Sequence, residues 1–149
     1  MIIVSLCGGL ANQMFQYAYA RSLSEKGYDV KLDAQPLKKL NQHGGYQLHH
    51  FNIDLDLARP DDISKVLGNK LIDRIRSLIP VEQKTHIRER KLFFDDDLLN
   101  PSDNTYLSGY FQSHFYFNKI IKAKLKDELQ LKSNLSDYAK EIESEILMQ

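Results

Sequence analysis

Three observations in the sequence predict an α/β domain, a parallel sheet flanked by helices. A short apolar run rich in β-branched residues, IIVSLC at positions 2–7, stops at Gly8 and Gly9. A helical pattern occupies residues 11–26, and a second apolar run at 28–32 ends in Asp33. Strand, tight loop, helix, strand is the opening of a βαβ unit, whose crossover makes the two strands parallel.

Each element has its own signal. In residues 11–26, Ala11, Met14, Phe15, Ala18 and Ser22 fall on one narrow face. Their small size predicts close packing on a sheet, and Gly27 is a suitable residue to end the helix. Residues 35–45 mix Pro36, Asn41, Gly44 and Gly45 and read as a loop, followed by a short strand within 46–53. Apolar positions 67, 71, 75, 78 and 79 predict a helix over 64–79 that stops before Pro80. Residues 106–110 predict a strand leading into Phe111, Phe115, Tyr116 and Phe117. Residues 118–149 read as two helices broken near Ser133 and Asn134. We expect one domain over 1–149, with the usual following strand of a parallel sheet missing after the last helix.

Composition narrows the function. Of 149 residues, 20 are Lys or Arg and 20 Asp or Glu, so the net charge is zero. That argues against a broad grip on nucleic acid or anionic lipid and leaves room for a local basic pocket. The single cysteine, Cys7, excludes an internal disulfide and a cysteine-based metal site. The start of the chain has no cationic segment ahead of its apolar run, and no apolar stretch reaches membrane-spanning length. We expect a soluble cytoplasmic protein; the sequon at Asn134 then carries no weight.

The segment CGGLANQMFQYA at positions 7–18 sits where strand one meets its helix. N–H groups of a first helical turn lack internal partners and face the positive end of the dipole, which suits phosphate or pyrophosphate. The glycines admit a ligand to the backbone, and the Asn12 and Gln13 amides add donors and acceptors for a sugar or phosphate. A helix cap with a tight turn is the plainer reading. Asp33 lies where a dinucleotide site would place its ribose-binding acid, but the glycines fail that fingerprint. Starting from Gly8, Leu10 and Gln13 occupy the later glycine positions; starting from Gly9, Ala11 and Met14 do. There is no Walker lysine either.

GGLANQMFQYA at 8–18 resembles the GGLGNQMFQYA signature of glycosyltransferase family 11, the α-1,2-fucosyltransferases, at all positions but one. TYLSGYFQS at 105–113, followed by Tyr116 and Phe117, is similar to that family's YLxGYWQS segment, and residues 46–53 resemble its YxLxxFNI segment. Ala11 replaces a glycine, which crowds a ligand approaching the loop, and Phe111 replaces a tryptophan. The resemblance implies a Rossmann-like N-terminal lobe of a GT-B-type enzyme. It implies inverting transfer of L-fucose from GDP-β-L-fucose to the 2-hydroxyl of a galactose-terminated glycan, without a metal or other cofactor. Residues Gly8, Gly9, Leu10, Ala11, Asn12 and Gln13 would then contact the donor, Asn12 foremost. The family's later HxRxGD arginine, which meets the leaving diphosphate, is expected beyond this chain, so the catalytic residue is unknown and the fragment alone inactive. Bacterial polysaccharide or O-antigen assembly is the expected setting, with peripheral membrane association left open.

Other motifs read as decoys. The run His86-Ile87-Arg88-Glu89-Arg90 suggests the HxRxGD motif but lacks Gly-Asp and precedes the YLSGYFQS block; it reads as a surface charge cluster. Asp54 with Asp56, and the triplet Asp95, Asp96 and Asp97, match a DxD metal pattern, yet turn chemistry explains the triplet better. His43, His49 and His50 are unsuited to one metal ion, because adjacent residues on a strand face opposite ways. The aromatics at 110, 111 and 115–117 read as core or lobe interface, with sugar stacking as the sharper alternative. Two other functions remain, a non-catalytic nucleotide-sugar or carbohydrate-binding module and a nicotinamide-dependent reductase, the latter disfavoured by the glycine pattern.

Overall fold

A computed structural model of the chain describes residues 1–40, 44–68, 85–90, 94–117, 119–134 and 136–147. Strands β1 (Ile2–Ser5), β2 (Val30–Asp33), β3 (His86–Arg88) and β4 (Tyr106–Ser108) form one sheet in the order β2-β1-β4-β3. Every pairing is parallel: Ile2 lies opposite Val30, Ile3 opposite Tyr106, and Arg88 opposite Ser108. The central strand β1 is apolar at successive positions because both of its faces are covered. Ile2, Val4 and Leu6 enter the larger core with Tyr17, Leu23 and Leu107, while Ile3 packs with Val66 and Tyr106 on the opposite face.

Helix α1 (Leu10–Glu25) covers the first face. It ends as its glycine predicts: Gly27 has φ +93°, its N–H donates to Ser24 O, and the Tyr28 N–H reaches back to Leu23 O. The expected narrow face is only partly right. Ala18 and Ser22 are buried and Met14 half-buried, but Ala11 and Phe15 are exposed, and Gln13, Gln16, Tyr17 and Ala20 are buried instead. Helix α1 is held between the sheet and two later elements, a 3-10 turn (Leu48–His50) and a helix (Lys119–Glu128), so it buries most of its circumference.

The structure departs from the expected elements at four places. Residues 35–40 open with a short helix, α2 (Gln35–Leu40), and 46–53 contain the 3-10 turn in place of a strand. Helix α3 (Pro60–Leu67) starts earlier than expected, with proline at its first position and Asp62 Oδ2 accepting the Arg59 N–H at 3.0 Å. It ends at Gly68, where φ is +72°; positions 71, 75, 78 and 79 lie outside the described residues. Strand β3 was not anticipated: it is three residues long with an exposed residue on either side of Ile87, so it lacks an apolar run. Helix α3 covers the second face, against β1 and β4.

Helices α4 (Lys119–Glu128) and α5 (Asp137–Leu147) follow, as read from the sequence. Arg21 is largely buried and pairs with Glu128 at 2.9 Å and Glu25 at 2.5 Å, while Tyr17 donates to Glu128 at 2.5 Å, fastening α1 to α4. Burial acts against the Arg21 charge, but its hydrogen bonds to Glu128 and Glu25 outweigh that and raise its pKa.

Candidate functional site

The loop leaving β1 is shaped by Gly8. Its φ is +73°, a conformation that favours glycine, and a Cβ there would lie 2.3 Å from Asn12 Nδ2 and push that side chain aside. Gly9 is the N-cap of α1 in an extended conformation; having no side chain, it leaves the N–H groups of the first turn without a side-chain partner.

Two fully buried glutamines lock this loop in place. Gln13 Nε2 donates to Gly8 O at 3.0 Å and Gly45 O at 2.9 Å, and its Oε1 accepts the Gln47 N–H at 3.0 Å. Gln16 Oε1 accepts the Cys7 N–H at 3.0 Å, and its Nε2 donates to Gly109 O at 2.9 Å. Of the residues expected to contact a donor, Gly8, Gly9, Ala11 and Asn12 are gathered at the turn, with Ala11 exposed and Asn12 partly so. Leu10 leans into the core, and the Gln13 side chain is wholly occupied in holding the loop. Gln16 was not singled out from the sequence; a polar residue buried for its hydrogen bonds has no apolar periodicity to reveal it.

The loop leaving β4 lies beside the first. Glu89 Oε2 accepts the N–H groups of Tyr110 at 2.8 Å and Phe111 at 2.9 Å, and Oε1 accepts the Tyr116 hydroxyl at 3.0 Å. This carboxylate holds Phe111 at φ +51°, a left-handed conformation costly for a bulky residue. Gly109 is required beneath it, since a Cβ there would fall 2.5 Å from Glu89 Cβ. The Phe111 ring is fully buried and stacks on Tyr19, centroids 4.1 Å apart, with Tyr116 edge-on. Phe111 and Tyr116 are therefore core, whereas Tyr110 is 52% exposed and Phe115 63%.

At the carboxyl ends of β1, β3 and β4 lies an open cavity of about 420 Å³. Among the described residues it is lined by Ser5 and Cys7 after β1, by Arg88, Glu89 and Arg90 at the end of β3, and by Ser108, Tyr110 and Gln112 at the end of β4. In open α/β sheets this edge is where ligands bind. The run 86–90 is thus more than a surface charge cluster: His86, Arg88 and Arg90 are exposed as expected, but the segment forms β3 and lines the cavity, with Glu89 turned inward. His86 Nε2 lies 2.9 Å from Ser108 Oγ.

The remaining candidates have structural partners. Asp33 is buried; its Oδ2 accepts the Tyr106 hydroxyl at 2.7 Å and its Oδ1 the Gln35 N–H at 2.9 Å. Ligand atoms of Asp95, Asp96 and Asp97 lie within 4.8 Å of one another, Asp95 buried and the others exposed, at the start of a 3-10 turn (Asp96–Leu99). Asp54 lies 3.8 Å from Arg21, and Asp56 accepts the Leu32 N–H through its backbone oxygen. His43 lies outside the described residues. His49 and His50 do not face opposite ways as on a strand: the 3-10 turn brings their rings to 3.9 Å, and His49 Nδ1 lies 2.9 Å from Tyr46 O. Among the described residues no helix is long and apolar enough to cross a membrane.

Over 56 residues the chain is 46% identical to an α-1,2-colitosyltransferase of Escherichia coli. The match covers 36% of this chain and 19% of that enzyme, so it spans about a fifth of the curated relative. Part of the chain is therefore similar to a curated glycosyltransferase. No family model and no solved structure matches it.

Proposed function

We propose that the chain is the Rossmann-like N-terminal lobe of a GT-B-type, inverting α-1,2-glycosyltransferase, moving L-fucose from GDP-β-L-fucose to the 2-hydroxyl of a galactoside. One observation carries the reading. The glycine loop of the family-11-like motif sits at the carboxyl end of the central strand, locked by Gln13 and Gln16, with the uncapped start of α1 opening beside a cavity. The similarity to a colitosyltransferase supports the transferase class.

In this reading Gly8 and Gly9 let the donor approach the backbone. The Leu10 and Ala11 N–H groups face its diphosphate, and the Asn12 amide positions the sugar. Gln13 holds that arrangement without touching the donor. During transfer the bond from fucose C1 to the diphosphate oxygen breaks and GDP departs with its electron pair, the bond to the acceptor oxygen forms from the opposite face, and the acceptor hydroxyl's proton passes to water. Fixed donors stabilise charge growing on the diphosphate. The family's HxRxGD arginine has no counterpart in these 149 residues, so transfer is assayed with the protein as its source makes it. The reaction in this reading needs no metal ion. The site works in the cytoplasm, at or near the membrane, in assembly of a bacterial surface polysaccharide.

The test is transfer from GDP-β-L-fucose to a β-galactoside, with the product linkage read by NMR. An α-1,2-fucosyl product that is lost with Asn12→Ala supports the reading. Transfer from the corresponding colitosyl donor alone would replace fucose as the sugar. Absence of any transfer, with donor affinity unchanged by Asn12→Ala, would overturn it.

A further inference from the structure

We propose that the cavity at the carboxyl ends of β1, β3 and β4 is a subsite for a sugar ring that carries a phosphate or carboxylate. Arg88 and Arg90 meet the anion, and Tyr110 offers its ring to the sugar. The sugar half of this inference rests on the glycosyltransferase reading; the anion half rests on the charges around the cavity.

Its volume of about 420 Å³ suits a small polar ligand. The cations and anions of its lining are not balanced. Among the described residues Glu89 is the one carboxylate there, and both its oxygens already accept hydrogen bonds from Tyr110, Phe111 and Tyr116. Arg88 and Arg90 are exposed, and among the described residues neither is ion-paired with a carboxylate. Asp95 and Asp97 line a separate cavity of about 280 Å³ that shares the same arginines, so these acids do not fill the larger one. A guanidinium stays charged at any working pH and presents a planar fork matched to carboxylate or phosphate oxygens.

The lining from the end of β4 suits a pyranose. Tyr110 is half exposed, and its backbone N–H is held by Glu89, so its ring is carried beside the cavity on a fixed stretch of main chain. The apolar C–H face of a sugar can cover such a ring, while Ser108 and Gln112 supply neutral hydrogen-bonding groups. Gln112 also bonds Asn12, which makes the subsite contiguous with the glycine loop. The anion has two possible sources, an acidic sugar of the acceptor or the diphosphate of the donor.

Calorimetric titration of the full-length protein with galactose 1-phosphate and with methyl β-D-galactopyranoside tests this. The phosphate sugar should bind at least about tenfold more tightly, and Arg88→Gln combined with Arg90→Gln should abolish that preference. Arg90→Gln alone, in the loop after β3, serves if the pair lowers the melting temperature. Retained binding under saturating GDP-fucose supports an acidic acceptor, and displacement supports the donor diphosphate. Equal affinity for the two probes, or a preference that survives the arginine substitutions, overturns the subsite. If fucose transfer to a neutral galactoside persists in that case, the transferase reading stands. An arginine-dependent preference without any transfer upholds the anion site and removes the transferase reading.

Discussion

Gln112 Nε2 donates to Asn12 Oδ1 at 2.7 Å, tying the loop after β4 to the first turn of α1 across 100 residues of sequence. With its oxygen engaged, Asn12 has its Nδ2 donor oriented by a neighbour. Asn12→Asp keeps the acceptor and the size but removes that donor and adds a charge facing an anion. We expect donor affinity or turnover to fall by about tenfold or more with an unchanged melting temperature. Gln112→Ala should cost less, and the double variant less than the sum, because each removes the same contact. Additive losses would show that Gln112 does not act through Asn12.

Gln13 stands one position away and does a different job. Gln13→Leu preserves volume but strands Gly8 O, Gly45 O and the Gln47 N–H, at about 3 kcal/mol in total. The expected readout is a clear drop in the urea midpoint, in contrast to Asn12→Asp. Equal stability of the two variants would mean that the glycine loop is held by something other than this buried amide.

That contrast also marks how far the sequence could be read. Elements with periodic apolar signals, β1, α1, β2 and β4, lie where the pattern puts them, and Gly27 ends α1 as its backbone freedom suggests. The misses share a cause. Strand β3 is short, polar and placed by pairing with β4, a contact remote in sequence. The start of α3 is written in Pro60 and Asp62 and its end in Gly68, signals that the apolar spacing at 71, 75, 78 and 79 overrides in the sequence. At the site, the glycine loop was legible as a motif. The division of labour between Asn12 and Gln13 was not, since it depends on backbone groups at positions 45 and 47. The role of Glu89 was equally hidden inside a run that reads as surface charge.

Glu89 should behave as a positioning residue. Glu89→Ala removes the acceptor for the Tyr110 and Phe111 N–H groups and for the Tyr116 hydroxyl, and the left-handed Phe111 loses its restraint. The expected cost is about 2 to 4 kcal/mol, with Tyr110 no longer fixed beside the cavity. Glu89→Gln keeps one acceptor oxygen and should recover part of the stability. The check is the denaturation midpoint together with galactoside affinity. Loss of stability with unchanged affinity would separate the clamp from ligand binding.

Tyrosine ionisation gives a prediction at the alkaline end. Tyr17, Tyr19, Tyr106 and Tyr116 are all buried, and in each case burial is the largest cause of a pKa raised above the ordinary 10.0. Contacts to Glu128, Asp33 and Glu89 push Tyr17, Tyr106 and Tyr116 further in the same direction. A group whose folded-state pKa is raised contributes stability that is fully present below its unfolded pKa and is lost as pH rises through the folded one. Above pH 10 the unfolded chain gives up these protons while the folded chain keeps them, so each tyrosine removes about 1.4 kcal/mol per pH unit. The protein should therefore unfold cooperatively not far above that pH, with tyrosinate absorbance rising in step with the loss of helical circular dichroism. Tyr19→Phe removes one of the four titrations and strands only Leu98 O, so it should flatten the alkaline limb while lowering neutral stability slightly. Tyrosinate appearing gradually near pH 10 in a chain that keeps its helices would mean that these rings are open to solvent.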